Sequence, residues 1–233
     1  MANLIRYITQ EDPMEKMRRQ KENENPDASA GFFNTTSRTA AQAADPDHEI
    51  RERMYPIIKG HENEKNFPYK DSKGNITIGA GINIDDEDKF RSMEWMDEQK
   101  RRIRSNDAVK YRNVLHEMEG NTYIADYYKD KTPLRIADEE IRRLYDMHVN
   151  NDLKELRDTF KDFDRFPPEL QNVLLDIKYN TGNVLQKKWP KLHQAIAERK
   201  IEDILNNVHR KDVSTERNQW AEDEIRKIRR LDY

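Results

Sequence analysis

Only one stretch of this chain carries the turn chemistry of a β-hairpin, and it is set among helical patterns. It reads Phe67-Pro-Tyr-Lys-Asp-Ser-Lys-Gly-Asn-Ile-Thr-Ile-Gly-Ala-Gly. Tyr69 and Ile76 to Ile78 suit short strands, and Asp71 to Asn75 supply the turn between them. Upstream, Ile50, Met54, Ile57 and Ile58 recur at helical spacing and predict an apolar stripe. Pro56 interrupts that stripe at a cost of about 3 kcal/mol inside a helix. A kink there, or a helix starting near it, would resolve the conflict. Beyond the hairpin the chain reads almost entirely helical, so the predicted class is α+β and mostly helical.

Three later helices are well marked. Asp138 opens the first, with Ile141, Leu144, Tyr145, His148, Leu153, Leu156 and Phe160 along one face and acids in its first turn. Pro167-Pro168 opens the second, which carries Leu170, Val173, Leu174 and Ile177 and is closed by Gly182. Thr215 suits the N-cap of the last, with Ala221, Ile225 and Ile228 on its apolar face. The charged region from 86 to 132, with Phe90, Met93, Trp95, Val109 and Leu115, is expected to be helical without fixed boundaries. No internal repeat is visible.

Of the 233 residues, 35% are apolar and 37% charged, which suits an α-rich domain with solvated helix faces and part of the chain unfolded. That part is expected to be residues 1–48, a polar arm without sustained period, read either as mobile or as a delivery or docking segment. Residues 49–233 form the expected folded domain. The net charge of −3 supplies no basic field for nucleic acid or for an anionic surface. No cysteine is present, which excludes disulfides and Cys-based metal or redox sites. No apolar run approaches the roughly 20 residues of a membrane span. The first residues lack the apolar core of a secretory signal, so the expectation is synthesis in the cytoplasm and action elsewhere after release or delivery.

The carboxylates carry the chemistry. Glu62 lies four residues after Ile58, on the continuation of the apolar face, where burial disfavours a charged carboxylate and suits a proton donor. It would otherwise be a surface acid at a helix end. Glu64 lies off that face and reads as a solvated acid. Asp71 stands at the mouth of the hairpin, either as a turn residue or as a second carboxylate facing Glu62 across a cleft. Thr77, on the return strand, offers a hydroxyl to position a water beside Asp71. One protonated acid opposite one ionised carboxylate is the minimum equipment for cleaving a glycosidic bond. Arg217 projects from the apolar stripe of the last helix, and a buried guanidinium needs a carboxylate partner, for which Glu62 is the candidate. Otherwise Arg217 snorkels to solvent.

These residues, in Glu62 followed by Tyr69-Lys-Asp71-Ser-Lys-Gly74-Asn-Ile-Thr77-Ile-Gly79-Ala-Gly81, closely resemble the active-site signature of the phage-type lysozymes. Ile136 to Tyr145 is similar to the start of that family's long inter-lobe helix. Leu174-Leu-Asp-Ile-Lys-Tyr179-Asn180-Thr-Gly182 is similar to its helix-to-turn segment, and Arg217 matches the arginine that pairs with the catalytic Glu. The resemblance runs from about residue 49 to the end. It departs at Ile82, where the family often has His, and over 86–132, which is longer than in the smallest members.

The resemblance implies a two-lobed fold, with a small hairpin lobe, a larger helical lobe and a sugar-binding cleft between them. It implies hydrolysis of the β-1,4 bond between N-acetylmuramic acid and N-acetylglucosamine in peptidoglycan, with inversion. Glu62 would protonate the leaving oxygen, Asp71 and Thr77 would hold the water, and Arg217 would support Glu62. Tyr69, Gly81, Tyr179 and Asn180 would meet the substrate. Two other readings stay open: a lysozyme-fold binding or structural module of a phage particle or secretion system, and a lytic transglycosylase working with a lone Glu. The expected partners are glycan strands, with an immunity protein or delivery machinery in the effector case, and the expected state is a monomer. No cofactor and no metal is expected. Asn83 to Asp88 lack the Gly and the downstream Glu of a calcium loop and read as a helix start, and the six histidines are scattered.

Overall fold

The computed structural model describes residues 45–71, 73–118, 124–182 and 185–232. The chain divides into two units, Met1–Pro46 and Asp47–Tyr233. The arm expected over 1–48 falls almost wholly outside the described residues. The second unit is mostly helical, with one small antiparallel sheet in the order β1-β2-β3.

Helix α1 (His48–Glu62) continues through Pro56, so it neither begins near the proline nor ends at it. Its buried positions Ile50, Met54 and Ile58 explain why. Each buried apolar side chain contributes about 1.5–3 kcal/mol, which together outweighs the proline's penalty. Pro56 itself is exposed. The helix ends on Asn63, whose left-handed backbone (φ 51°) returns its N–H to the Lys59 carbonyl.

The hairpin forms as expected from β1 (Lys65–Lys70) and β2 (Ile76–Gly79), with Tyr69 opposite Thr77 and Lys70 opposite Ile76. The register shifts between Lys65 and Tyr69, around Pro68, which has no N–H to give a ladder. A third strand, β3 (Ile82–Asn83), was not legible in the sequence. It folds back on β2 through a turn in which Gly79 (φ 62°) and Gly81 (φ 79°) both take left-handed backbone.

The region 86–132 is less helical than expected. It contains α2 (Glu87–Arg91), opened by an Asp86 cap, then α3 (Ser105–Glu117) and a 3₁₀ turn at Ala125–Tyr128. Between α2 and α3 the chain is held by isolated bridges from Met96 to Arg102 and Arg135. The Trp95 indole N–H also donates to the Phe90 carbonyl at 2.8 Å. These are tertiary ties, which a periodicity of side chains does not announce.

Helix α4 (Asp138–Thr159) follows with its three-acid first turn. A 3₁₀ turn (Phe163–Arg165) leads to α5 (Pro168–Thr181), begun at Pro168 and capped by Gly182 (φ 73°). Three short helices, α6 (Leu185–Lys188), α7 (Pro190–Ala197) and α8 (Ile201–Leu205), were not foreseen. The last, α9 (Thr215–Lys227), is capped by Ser214 rather than Thr215: the Ser214 side chain accepts the Arg217 backbone N–H.

Buried apolar side chains fall into two clusters. One gathers Ile76, Ile78, Ile82, Phe90, Trp95 and Leu115 around the sheet, α2 and α3. The other joins α1, α5, α7 and α9 through Met54, Ile58, Leu174, Leu192 and Ile225. Helix α4 serves both, giving Ile141 and Leu144 to the first and Tyr145, Val149, Leu153 and Leu156 to the second.

Candidate active site

Glu62 is the last residue of α1, one turn beyond the fully buried Ile58. Its side chain is 21% exposed, against 6% for Arg217. Arg217 Nη1 donates to Glu62 Oε1 at 2.7 Å, so the expected pair forms and the guanidinium does not snorkel. The other oxygen, Oε2, faces the β2–β3 turn. A Cβ built on Gly81 would stand 3.5 Å from it, so only a glycine leaves that side of the carboxylate open. Among the described residues no donor other than Arg217 hydrogen-bonds Glu62.

Arg217 has a second carboxylate that was not foreseen. Asp176, on α5, accepts from its Nε at 3.1 Å and from its Nη2 at 2.7 Å. Asp176 is completely buried. It also takes Arg210 Nη2 at 2.5 Å, and His61 Nδ1 lies 3.1 Å away. Burial alone would raise its pKa, but His61, Arg217 and Arg210 together hold it well below the usual carboxylate range. Burial tends to lower Arg217, and the charges of Asp176 and Glu62 reverse that and raise it. Arg210 goes the other way, lowered by burial despite Asp176. Two guanidiniums and two carboxylates thus form one cluster, with His61 packed edge-on against Trp220 at its border.

The sequence did hold a signal for this. Asp176 interrupts the run Val173-Leu174-Leu175-Asp176-Ile177, and every residue of α5 from Leu170 to Lys178 is buried. An acid in such a run requires cationic partners.

The hairpin places the other expected residues. Tyr69 and Thr77 are cross-strand neighbours, and the nearly buried Thr77 hydroxyl donates to the Tyr69 carbonyl at 3.2 Å. What Thr77 has left to offer a water is its lone pairs. The Tyr69 phenol is raised, first by burial and also by Glu62 and Asp71, while hydrogen bonds with the Thr77 side chain and the Gly81 backbone pull it down. Tyr69 therefore senses both carboxylates. Asp71 itself organises the turn: its Oδ1 accepts the Lys73 and Asn75 amides at 2.8 and 2.9 Å, and its Oδ2 accepts Asn75 Nδ2 at 3.0 Å. A carboxylate has about four acceptor sites, so one remains.

Tyr179 is tied in from the helical side, its hydroxyl donating to the Ala80 carbonyl at 2.8 Å. Its phenol is raised chiefly by burial, and Glu62 acts on it too. The ring edge meets His148, with centroids 4.8 Å apart. Asn180 is exposed and its Oδ1 lies 3.5 Å from Arg210 Nη1. Glu64 departs from expectation: its side chain is only 7% exposed and is held by Lys59 at 2.7 Å and the Tyr55 hydroxyl at 3.1 Å. The left-handed Asn63 turns it back against α1 instead of letting it continue on the solvent face.

Arg217 and Gly81 thus flank the Glu62 carboxylate, Tyr69 and Tyr179 lie within reach of its charge, Thr77 is held beside Tyr69, Asp71 sits at the hairpin turn and Asn180 beside Arg210. No group of His, Asp and Glu among the described residues is arranged to hold a metal ion. Compared with protein-family models, with curated proteins and with solved structures, the chain matches none.

Proposed function

We propose that this chain is a muramidase of the phage-type lysozyme kind, hydrolysing the β-1,4 bond from N-acetylmuramic acid to N-acetylglucosamine in peptidoglycan. The observation that carries the reading is the asymmetry of Glu62. One oxygen is fixed by a buried arginine, and the other looks onto Gly81, which has no side chain. That is the arrangement needed to aim a carboxylic acid at a bond brought close to the backbone at Gly81.

In this reading Glu62 gives its proton to the glycosidic oxygen as the bond to the anomeric carbon breaks. Water adds to that carbon from the opposite face, and Asp71 takes the proton the water loses. The two apolar clusters joined by α4 support a two-lobed arrangement with the cleft beside Glu62.

A second reading, a lytic transglycosylase, is favoured by one observation: three of Asp71's acceptor sites are spent on the turn. Incubating purified peptidoglycan with wild type and Glu62→Gln, followed by mass analysis of the fragments, tests both. Hydrated reducing ends, lost in the folded Glu62→Gln protein, are the muramidase result. Anhydro ends, retained by Asp71→Asn, would establish the transglycosylase instead. No clearing of any wall type by folded wild type would leave a binding module.

A further inference from the structure

We infer that Asp176 is the positioning residue of this site, holding Arg217 by two N–H groups and offsetting the charge of Arg210, so that one Arg217 N–H addresses Glu62. The inference rests on the reading of Glu62 as a proton donor.

A guanidinium is a rigid fork that prefers to grip a carboxylate with two parallel N–H groups. Arg217 grips Asp176 in that way, Nη2 donating to Oδ1 at 2.7 Å and Nε to Oδ2 at 3.1 Å, and touches Glu62 with Nη1 alone. Without Asp176, nothing would prevent the fork from turning onto Glu62 and occupying Oε2, the oxygen that faces Gly81. Such a grip would also favour the ionised acid, which has no proton to give.

The charge count points the same way. Arg210 makes its one close ion pair among the described residues with Asp176, and its buried Nε meets no acceptor there. With Glu62 protonated, Asp176 is the only anion among the described residues in contact with either guanidinium. Removing that charge leaves two buried cations next to the acid, which disfavours its neutral form. His61 borders the same carboxylate and can only add positive charge.

The test uses the full chain carrying Asp176→Asn, and the double variant Asp176→Asn/Arg210→Gln, each checked for folding by circular dichroism. On soluble peptidoglycan chains, Asp176→Asn should lower kcat about 10- to 100-fold with KM changed less than about threefold. The alkaline limb of its pH profile should move to lower pH by about one unit, and the double variant should move it back. Titration of the Glu62 carboxyl carbon by NMR gives the same readout without turnover. A folded Asp176→Asn whose limb and carboxyl titration stay put, or a double variant that fails to restore them, overturns the inference. If Asp176→Asn does not fold, Arg210→Gln alone should move both readouts to higher pH, and no movement is again fatal. Should wild type clear nothing while the carboxyl titration moves as expected, the muramidase reading falls and the hold of Asp176 on Glu62 stands.

Discussion

Arg217 spans 155 positions of sequence to place its Nη1 2.7 Å from Glu62 Oε1, while its other donors are committed to Asp176. Pairing a surface acid with a surface base contributes little, but here the guanidinium is buried and its loss takes from Glu62 its partner and leaves the buried Asp176 to Arg210 and His61 alone.

Arg217→Ala should therefore destabilise the protein by about 3–5 kcal/mol, the range for breaking a buried pair from one side. Urea denaturation at neutral pH measures it. A change below about 1 kcal/mol would mean that Asp176 finds its compensation elsewhere.

Two glycines separate strain from function. Gly79 and Gly81 both have left-handed backbone, so alanine costs each about 1–2 kcal/mol. The new methyl would meet Ile141 at Gly79 but the Glu62 carboxylate at Gly81. Gly79→Ala and Gly81→Ala should melt at similar temperatures, while only Gly81→Ala loses about tenfold or more in peptidoglycan clearing. Equal losses of activity would trace the effect to stability alone.

Tyr179→Phe keeps the ring and deletes the hydroxyl that holds the Ala80 carbonyl, in a residue only 1% exposed. An unsatisfied buried carbonyl costs about 1–3 kcal/mol, and clearing should fall because the turn carrying Gly81 is no longer tied to α5. Full activity in Tyr179→Phe would assign the residue to packing against a sugar and nothing more.

The acid side of stability should carry the signature of Asp176. Its pKa is depressed in the fold, against about 3.9 in an unfolded chain. Its contribution is whole above about pH 4 and is lost progressively below that, as protons bind the unfolded chain first. The stability gap between wild type and Asp176→Asn, from denaturant melts, should be widest near neutrality and shrink below about pH 4. A gap that stays constant through that range would show that the carboxylate's charge is not what stabilises the cluster.

Those parts of the fold that local chemistry dictates could be read directly: the hairpin from its turn residues, α4 from its stripe, α5 from Pro168 and Gly182. The Glu62–Arg217 pair was legible because each residue continues an apolar stripe with a charge. Asp176 shows in the sequence only as one acid in an apolar run, which calls for a cation without saying which. Its partners, Arg210 and Arg217, lie 34 and 41 positions away. The burial of Glu64 is not legible because a left-handed Asn63 cannot be told from a helical one by spacing. Ser214 and Thr215 are adjacent hydroxyls, each competent as a cap, and only the fold chooses. The segment between α2 and α3 rests on bridges from Met96 to Arg102 and Arg135, the second of them in the approach to α4.

The order in which the chain is made gives the Arg217 contact one more consequence. Helix α1 and the hairpin are close in sequence and can pair as soon as they leave the ribosome, since short loops close fastest. Glu62 must then wait for α5 to bring Asp176 and for α9 to bring Arg217. A nascent or truncated chain ending before residue 217 would carry the acid and its turn but lack the counter-ion that aims it. The site is set only once α9 has been made, so the acid and the turn it faces exist for a time without the guanidinium that aims them.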